Sequence, residues 1–196
     1  MVGNMNFLFV GVGGQGVLTA SDIAAQVGVD LGLDAKKSEI HGFAQRGGVV
    51  ESHIRWAESV GSPTCEKGTV DVLMAFELLE AARWIEWLKP GGIVLVNRQQ
   101  ITPMSVSVGD VLYPAEADIL TALRQRAGKV AVVDALPLAE QAGNARAVNT
   151  IMLAALSAML ETDPQVWEAA ILKRVPPKYE AVNKVAFRLG WDAANQ

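Results

Sequence analysis

Two stretches of the chain carry residue types that could do chemistry. The first is Gly11-Val-Gly13-Gly14-Gln15-Gly16, set between the β-forming run Phe7-Leu-Phe-Val10 and a helix-like pattern that starts at Val17. Gly11, Gly13 and Gly16 fit G-x-G-x-x-G, with Gly14 added. Gly11 suits a tight turn, Gly13 and Gly14 let a ligand approach the backbone, and Gly16 lets the helix pack on the strand. The free N–H groups and dipole at the start of that helix favour an anion such as phosphate. The alternative is that these glycines only pack the first strand–helix turn. The second stretch is Glu39-Ile-His41-Gly-Phe-Ala-Gln45-Arg46-Gly47-Gly48, polar and without apolar periodicity. Arg46 could grip a phosphate or carboxylate through two parallel bonds, and His41 could carry a proton. Against this, Arg46 could pair with a nearby acid and His41 could cap a turn. In an open α/β sheet both stretches fall at the carboxyl edge, where ligands bind.

What is missing narrows the chemistry. A dinucleotide site needs an acid about 20 residues past the glycines, at the end of the second strand. Here Asp34-Ala-Lys-Lys-Ser38 puts lysines there, which disfavours plain NAD binding, and no Gly-Lys-Ser/Thr completes a P-loop. There is no Gly-x-Ser-x-Gly elbow and no pair of acids arranged for acid–base work, so no catalytic residue is named. Gly109-Asp110 resembles the opening of a thiamine diphosphate motif, but its Asn-containing end is absent. The single Cys65 excludes an internal disulfide and an iron–sulfur cluster held by this chain alone, and His41 and His53 do not make a zinc site.

The elements that must position these residues follow from pattern. Residues 5–11 read as a central strand, Gly16 to Leu31 as a helix and 34–38 as a short second strand. Val49 to Trp56 alternates, with Val50, Ser52, Ile54 and Trp56 on one face and Val49, Glu51, His53 and Arg55 on the other. One apolar and one polar face suit an antiparallel or edge strand, so the sheet should be mixed, with His53 and Arg55 solvated or at a subunit contact. Val70–Phe76, helix 77–88, Lys89-Pro-Gly-Gly92 and strand 93–97 form a right-handed βαβ crossover. A weak strand over 104–112, helix 116–127 and strand 129–134 follow. Beyond Asp134 the pattern is helical: 144–160; a helix capped by Thr162 with Gln165 and running to Lys173; and 178–189, closed by Gly190. The fold class is therefore a three-layer α/β/α Rossmann-like domain with a mixed, mostly parallel sheet (residues 1–134) and a helical C-terminal part (135–196).

Composition supports this. The 196 residues are 51% hydrophobic and only 19% charged, an apolar surplus that suggests a subunit contact. A net charge of −4 gives no footprint for nucleic acid. No run reads as a membrane span or signal peptide, so the cytoplasm is expected.

Gly11-Val-Gly-Gly-Gln-Gly-Val-Leu-Thr-Ala-Ser21 and Ser38-Glu-Ile-His-Gly-Phe-Ala-Gln-Arg-Gly-Gly-Val-Val-Glu-Ser-His-Ile-Arg55 resemble the gamma-type domain of 2-oxoacid:ferredoxin oxidoreductases. The Glu-Ile-His-Gly-x-Ala-Gln-Arg-Gly-Gly block is similar, more narrowly, to the beta subunit of indolepyruvate:ferredoxin oxidoreductases. Asp71–Glu77, Leu88–Gly92 and Asn149–Ser157 agree. The resemblance implies a large alpha-type partner subunit holding thiamine diphosphate and iron–sulfur clusters. The pair would decarboxylate an aryl 2-oxoacid, reduce ferredoxin and pass the acyl group to coenzyme A. Taken together with the reading of the two stretches, this points to cofactor or partner contact by Gly11, Gly13, Gly14, Gln15, Gly16, His41, Gln45, Arg46, Gly47 and Gly48, with coenzyme A phosphate one candidate ligand. Alternatives that stay open are an independent nucleotide-binding protein, a non-catalytic scaffold, and a homodimer of the isolated chain.

Overall fold

The computed structural model describes residues 3–41, 47–102, 112–160 and 162–195. The expected strand 104–112 falls almost wholly outside them, as do Gln45 and Arg46; of His41 only the backbone is described. Six strands form one sheet: β1 (Met5–Val12), β2 (Asp34–His41), β3 (Val49–Ala57), β4 (Val70–Ala75), β5 (Leu88–Asn97) and β6 (Lys129–Val133), in spatial order β2-β3-β1-β4-β5-β6. β1, β4, β5 and β6 run parallel, while β3 is antiparallel to both β1 and β2. The sheet is mixed, as the alternation in β3 required.

Helices cover both faces. Helix α1 (Val17–Asp30), α4 (Ala135–Gln141), α5 (Val148–Met159), α6 (Pro164–Leu172) and α7 (Glu180–Ala194) share one core with Phe7, Phe9 and Trp56. Helix α2 (Leu78–Trp84) and α3 (Glu116–Arg126) share the other with Leu8, Val10 and Leu73. β1 feeds both cores because its alternate residues point to opposite faces, so Phe7 to Val10 are all fully buried.

Two strands outrun their expected bounds: β2 continues to His41, so Glu39 to His41 are strand rather than loop, and β5 starts at Leu88, taking Lys89-Pro-Gly-Gly92 in beside an irregularity in its pairing with β4. Three other local expectations change. Gly190 does not close a helix; it lies inside α7, where a Cβ would sit 2.2 Å from the Ile151 carbonyl oxygen, so it permits α7 to cross α5 closely. Thr162 is not the cap of α6: Asp163 is, accepting from the Gln165 N–H at 2.9 Å with Pro164 in the first turn, while the Thr162 hydroxyl accepts from the Trp167 indole at 2.7 Å. The polar face of β3 is not solvated at His53, whose exposure is 0%. The 58–69 segment folds over it, the Cys65 N–H donating to Nδ1 at 3.3 Å, and the Trp87 ring packs 5.3 Å away.

Candidate functional site

The glycine stretch turns the chain from β1 into α1 at the point where β1 meets β4 on one side and β3 on the other. Its residues divide the work. A Cβ on Gly11 would lie 2.8 Å from Gln15 Oε1 and 2.9 Å from Val17 Cγ2, so Gly11 is needed for close packing. Gly14 has φ +105° and open space around its missing Cβ, so there the backbone conformation asks for glycine. Gly16, at φ +79°, precedes α1; among the described residues no side chain caps this helix, and no acid stands in its first turn. Its positive end is left for something else to meet.

Gln15 holds the loop in shape. Its Oε1 accepts from the Val12 N–H at 2.7 Å, and its Nε2 donates to the Phe76 carbonyl at 2.8 Å and to Gln99 Oε1 at 2.9 Å. Asn97 joins this clamp, donating to the Phe76 carbonyl and to Gln99 Oε1 and accepting from the Ala135 N–H at 3.1 Å. The ends of β1, β4 and β5 and the start of α4 are thereby tied together by amides alone. The two stretches singled out from sequence also meet: the Gly13 N–H donates to the Gly48 carbonyl at 2.8 Å.

A cavity of about 480 Å³ opens outside these strand ends, bordered by Gly14, Gln15 and Gly16 on one side and by Arg146, Val148 and Asn149 on the other. Sequence reasoning missed the second wall, which comes from the start of α5, 130 positions away. Asn144, accepting from the Arg146 N–H at 3.0 Å, sets a single 3-10 turn (Ala145–Ala147) that leads into that helix and lifts Arg146 to the rim. Arg83, Arg98 and Arg174 each meet a carboxylate, whereas Arg146 meets none among the described residues. Asn149 Nδ2 donates to the Gly16 carbonyl at 3.0 Å, locking the wall to the loop. The available signal was the Asn144 turn and the polar pair Asn149-Thr150 heading an otherwise apolar helix.

The cavity thus offers backbone donors, the positive end of α1 and an uncommitted guanidinium, a set that binds anions. Among the described residues it offers no nucleophile with a base. Cys65 lies elsewhere, and burial pushes its thiol up to about 12. Among the described residues no group of three His, Cys, Asp or Glu could hold a metal, and no helix is long and apolar enough to cross a membrane.

Comparison with known proteins places this architecture in a class. Residues 6–193 match the family described as pyruvate ferredoxin/flavodoxin oxidoreductase, and the chain belongs to that family. The chain is 36% identical over 195 residues to the indolepyruvate oxidoreductase subunit IorB of Thermococcus kodakarensis, covering 97% of this chain and 96% of that one. It is 35% identical over 194 residues to the IorB subunit of Pyrococcus horikoshii, covering 97% and 96%. Among solved structures, the gamma subunit of a keto/oxoacid ferredoxin oxidoreductase from Geobacter sulfurreducens shares the fold with TM-score 0.71 at 24% identity, covering 97% of this chain and 98% of that one.

Proposed function

We propose that this chain is the small subunit of a 2-oxoacid:ferredoxin oxidoreductase that takes indolepyruvate or another arylpyruvate and yields an acyl-CoA. The observation that carries the reading is the 36% identity to an indolepyruvate oxidoreductase subunit along almost the full length of both chains. The apolar surplus and the shortage of catalytic groups in the cavity suit a cytoplasmic single-domain subunit that works only with a larger alpha-type partner. Thiamine diphosphate and iron–sulfur clusters, held by that partner, supply decarboxylation and electron transfer to ferredoxin. With one cysteine, itself buried, this chain cannot ligate such a cluster alone.

The role left to this chain is binding and orientation. The loop Gly13–Gly16, the Gly47–Gly48 turn and Arg146 hold an anionic group of a ligand, coenzyme A phosphate being the candidate; Arg46 and Gln45 belong to the same loop by sequence, and His41 ends the strand that leads into it. Gln15 acts by shaping the loop. The test is co-purification. A tagged chain expressed in its native host should bring down one large companion containing thiamine diphosphate, iron and sulfide, with arylpyruvate-dependent ferredoxin reduction. A chain that emerges alone with a bound nucleotide refutes the reading.

A further inference from the structure

A second cavity, of about 290 Å³, adjoins the one at the glycine loop. It is enclosed by α1, the start of α5, the turn that leaves α6 and the first turns of α7. Arg146 and Asn149 border both cavities, whereas Gly14, Gln15 and Gly16 border only the first. The volume lies at the low end for small-molecule sites, with room for a compound of one or two rings and not for a dinucleotide or the whole of coenzyme A.

The lining is sorted by polarity. Arg146 and Arg174, both exposed, stand at the mouth. Arg174 meets Asp22 only at 3.7 Å, beyond hydrogen-bond range, and Lys37 already pairs with that acid, so the guanidinium keeps its donors for another acceptor. Helix α5 opens on the same cavity with Ala147 as its N-cap, no side-chain cap among the described residues and no acid in its first turn. The floor is aliphatic, from the buried Ile23 and Ile171, with the half-buried Val175 and Tyr179 beside them. The buried polar groups of the lining are neutral: Thr150 and Asn183, 5% and 7% exposed. The Thr150 hydroxyl donates to Asn183 Oδ1 at 2.6 Å, and Asn183 Nδ2 donates to the Tyr179 carbonyl at 2.9 Å. Each keeps spare capacity, since the hydroxyl oxygen can still accept and the amide has a second N–H.

We propose that this cavity binds a small aryl carboxylate, at a site separate from the anion site of the glycine loop. The carboxylate meets Arg146, Arg174 and the free N–H groups that open α5; the ring lies on Ile23, Ile171 and Val175; Thr150 and Asn183 meet a polar atom of the ring. An inorganic anion would leave the aliphatic floor bare, and a cation would face two guanidiniums. Because Arg146 serves both cavities, an aryl acid bound here draws its guanidinium away from the anion at the glycine loop, and each ligand weakens the other by the same factor. On the small-subunit reading, on which only this last step rests, the aryl acid is of the substrate's own class and restrains the use of coenzyme A.

The probe is indole-3-acetate, titrated by calorimetry into the full chain and into its complex with the large subunit, with indole and acetate as controls. The expected result is one saturable site on the chain itself. Its affinity falls about tenfold in Arg174→Ala, the lower end for one charge-assisted bond, and is lost in Val175→Trp, which fills the cavity. Indole and acetate each bind more weakly than the acid that joins them. Denaturation midpoints identify a variant that fails to fold, and Arg174, on the surface, keeps the test open should Val175→Trp do so. In the complex, saturating probe raises the KM for coenzyme A in wild type and not in Val175→Trp. Absence of saturable binding, an affinity unchanged in both variants, or acetate binding as tightly as the aryl acid overturns the site. A probe that binds without moving the KM for coenzyme A overturns the coupling. A complex that forms and turns over while the chain ignores the probe leaves the small-subunit reading intact; a chain that binds the probe but captures no large subunit removes that reading and keeps the site.

Discussion

The contact between Gly16 and Asn149 can be weighed by a double-mutant cycle. An alanine at Gly16 must hold φ near +79°, a left-handed conformation that costs an L-residue roughly 1–2 kcal/mol. Its Cβ would also fall 2.3 Å from Asn149 Nδ2, so the amide must leave and its bond to the Gly16 carbonyl is lost, about 1 kcal/mol more. Gly16→Ala should therefore destabilise by about 2–3 kcal/mol. Asn149→Ala alone loses only the hydrogen bond, about 1 kcal/mol, because the Gly16 carbonyl keeps the Ala20 N–H at 3.0 Å. In the double variant there is no amide left to displace, so it should be no less stable than Gly16→Ala, giving a coupling of about 1 kcal/mol. Urea denaturation followed by tryptophan fluorescence reads all three. A double variant that costs the full sum of the singles refutes the claim that the α5 wall is latched to the glycine loop.

Three further outcomes follow from other parts of the structure. Arg146→Ala should raise the KM for coenzyme A about tenfold in the assembled enzyme, the lower end for one charge-assisted bond, with the KM for the 2-oxoacid unchanged; steady-state kinetics on each substrate decides it. Burial holds Glu51 above the usual carboxylate range, so its ionisation opposes folding once the pH exceeds that range. Below the ordinary carboxylate pKa both folded and unfolded chains are protonated and the penalty vanishes. Glu51→Gln should accordingly raise the melting temperature at pH 7 and lose that advantage by about pH 4, read by calorimetry at both values. Cys65, with its thiol pushed up to about 12 and no exposure to speak of, should resist alkylation by iodoacetamide at pH 8 in the native chain and react once the chain is unfolded in urea, as mass spectrometry would record.

The sequence was most readable where one local pattern settles the matter. The apolar run into Gly11–Gly16 and the periodic residues after it define β1, the turn and α1 without outside help. The mixed sheet was equally visible in the alternation of β3. One failure was local, Asp163 taking the cap that its neighbour Thr162 was expected to supply; the others depended on parts of the chain outside the local pattern. His53 looks like a solvent-facing residue until the 58–69 segment and Trp87 come down on it. Gly190 has the sequence position of a helix stop, yet a backbone crossing at Ile151 explains it better. The same limit hid Arg146 and Asn149: a wall contributed from the start of α5 has no local signature linking it to a glycine loop 130 residues earlier.

The amide clamp formed by Gln15, Asn97 and Gln99 has a consequence for how the enzyme should respond to acidity. Every bond in it runs between neutral groups, from Val12 through Gln15 and Gln99 to Asn97 and Ala135. Nothing in it gains or loses a proton in the physiological range, and neutral pairs are little screened by salt. The loop therefore keeps one shape from mildly acidic to mildly alkaline buffer and from dilute to concentrated electrolyte. A bend in a pH–rate profile, or a slope against ionic strength, reports on the ligand, on the cations that greet it, or on the larger subunit, and the scaffold beneath them acts as a fixed reference.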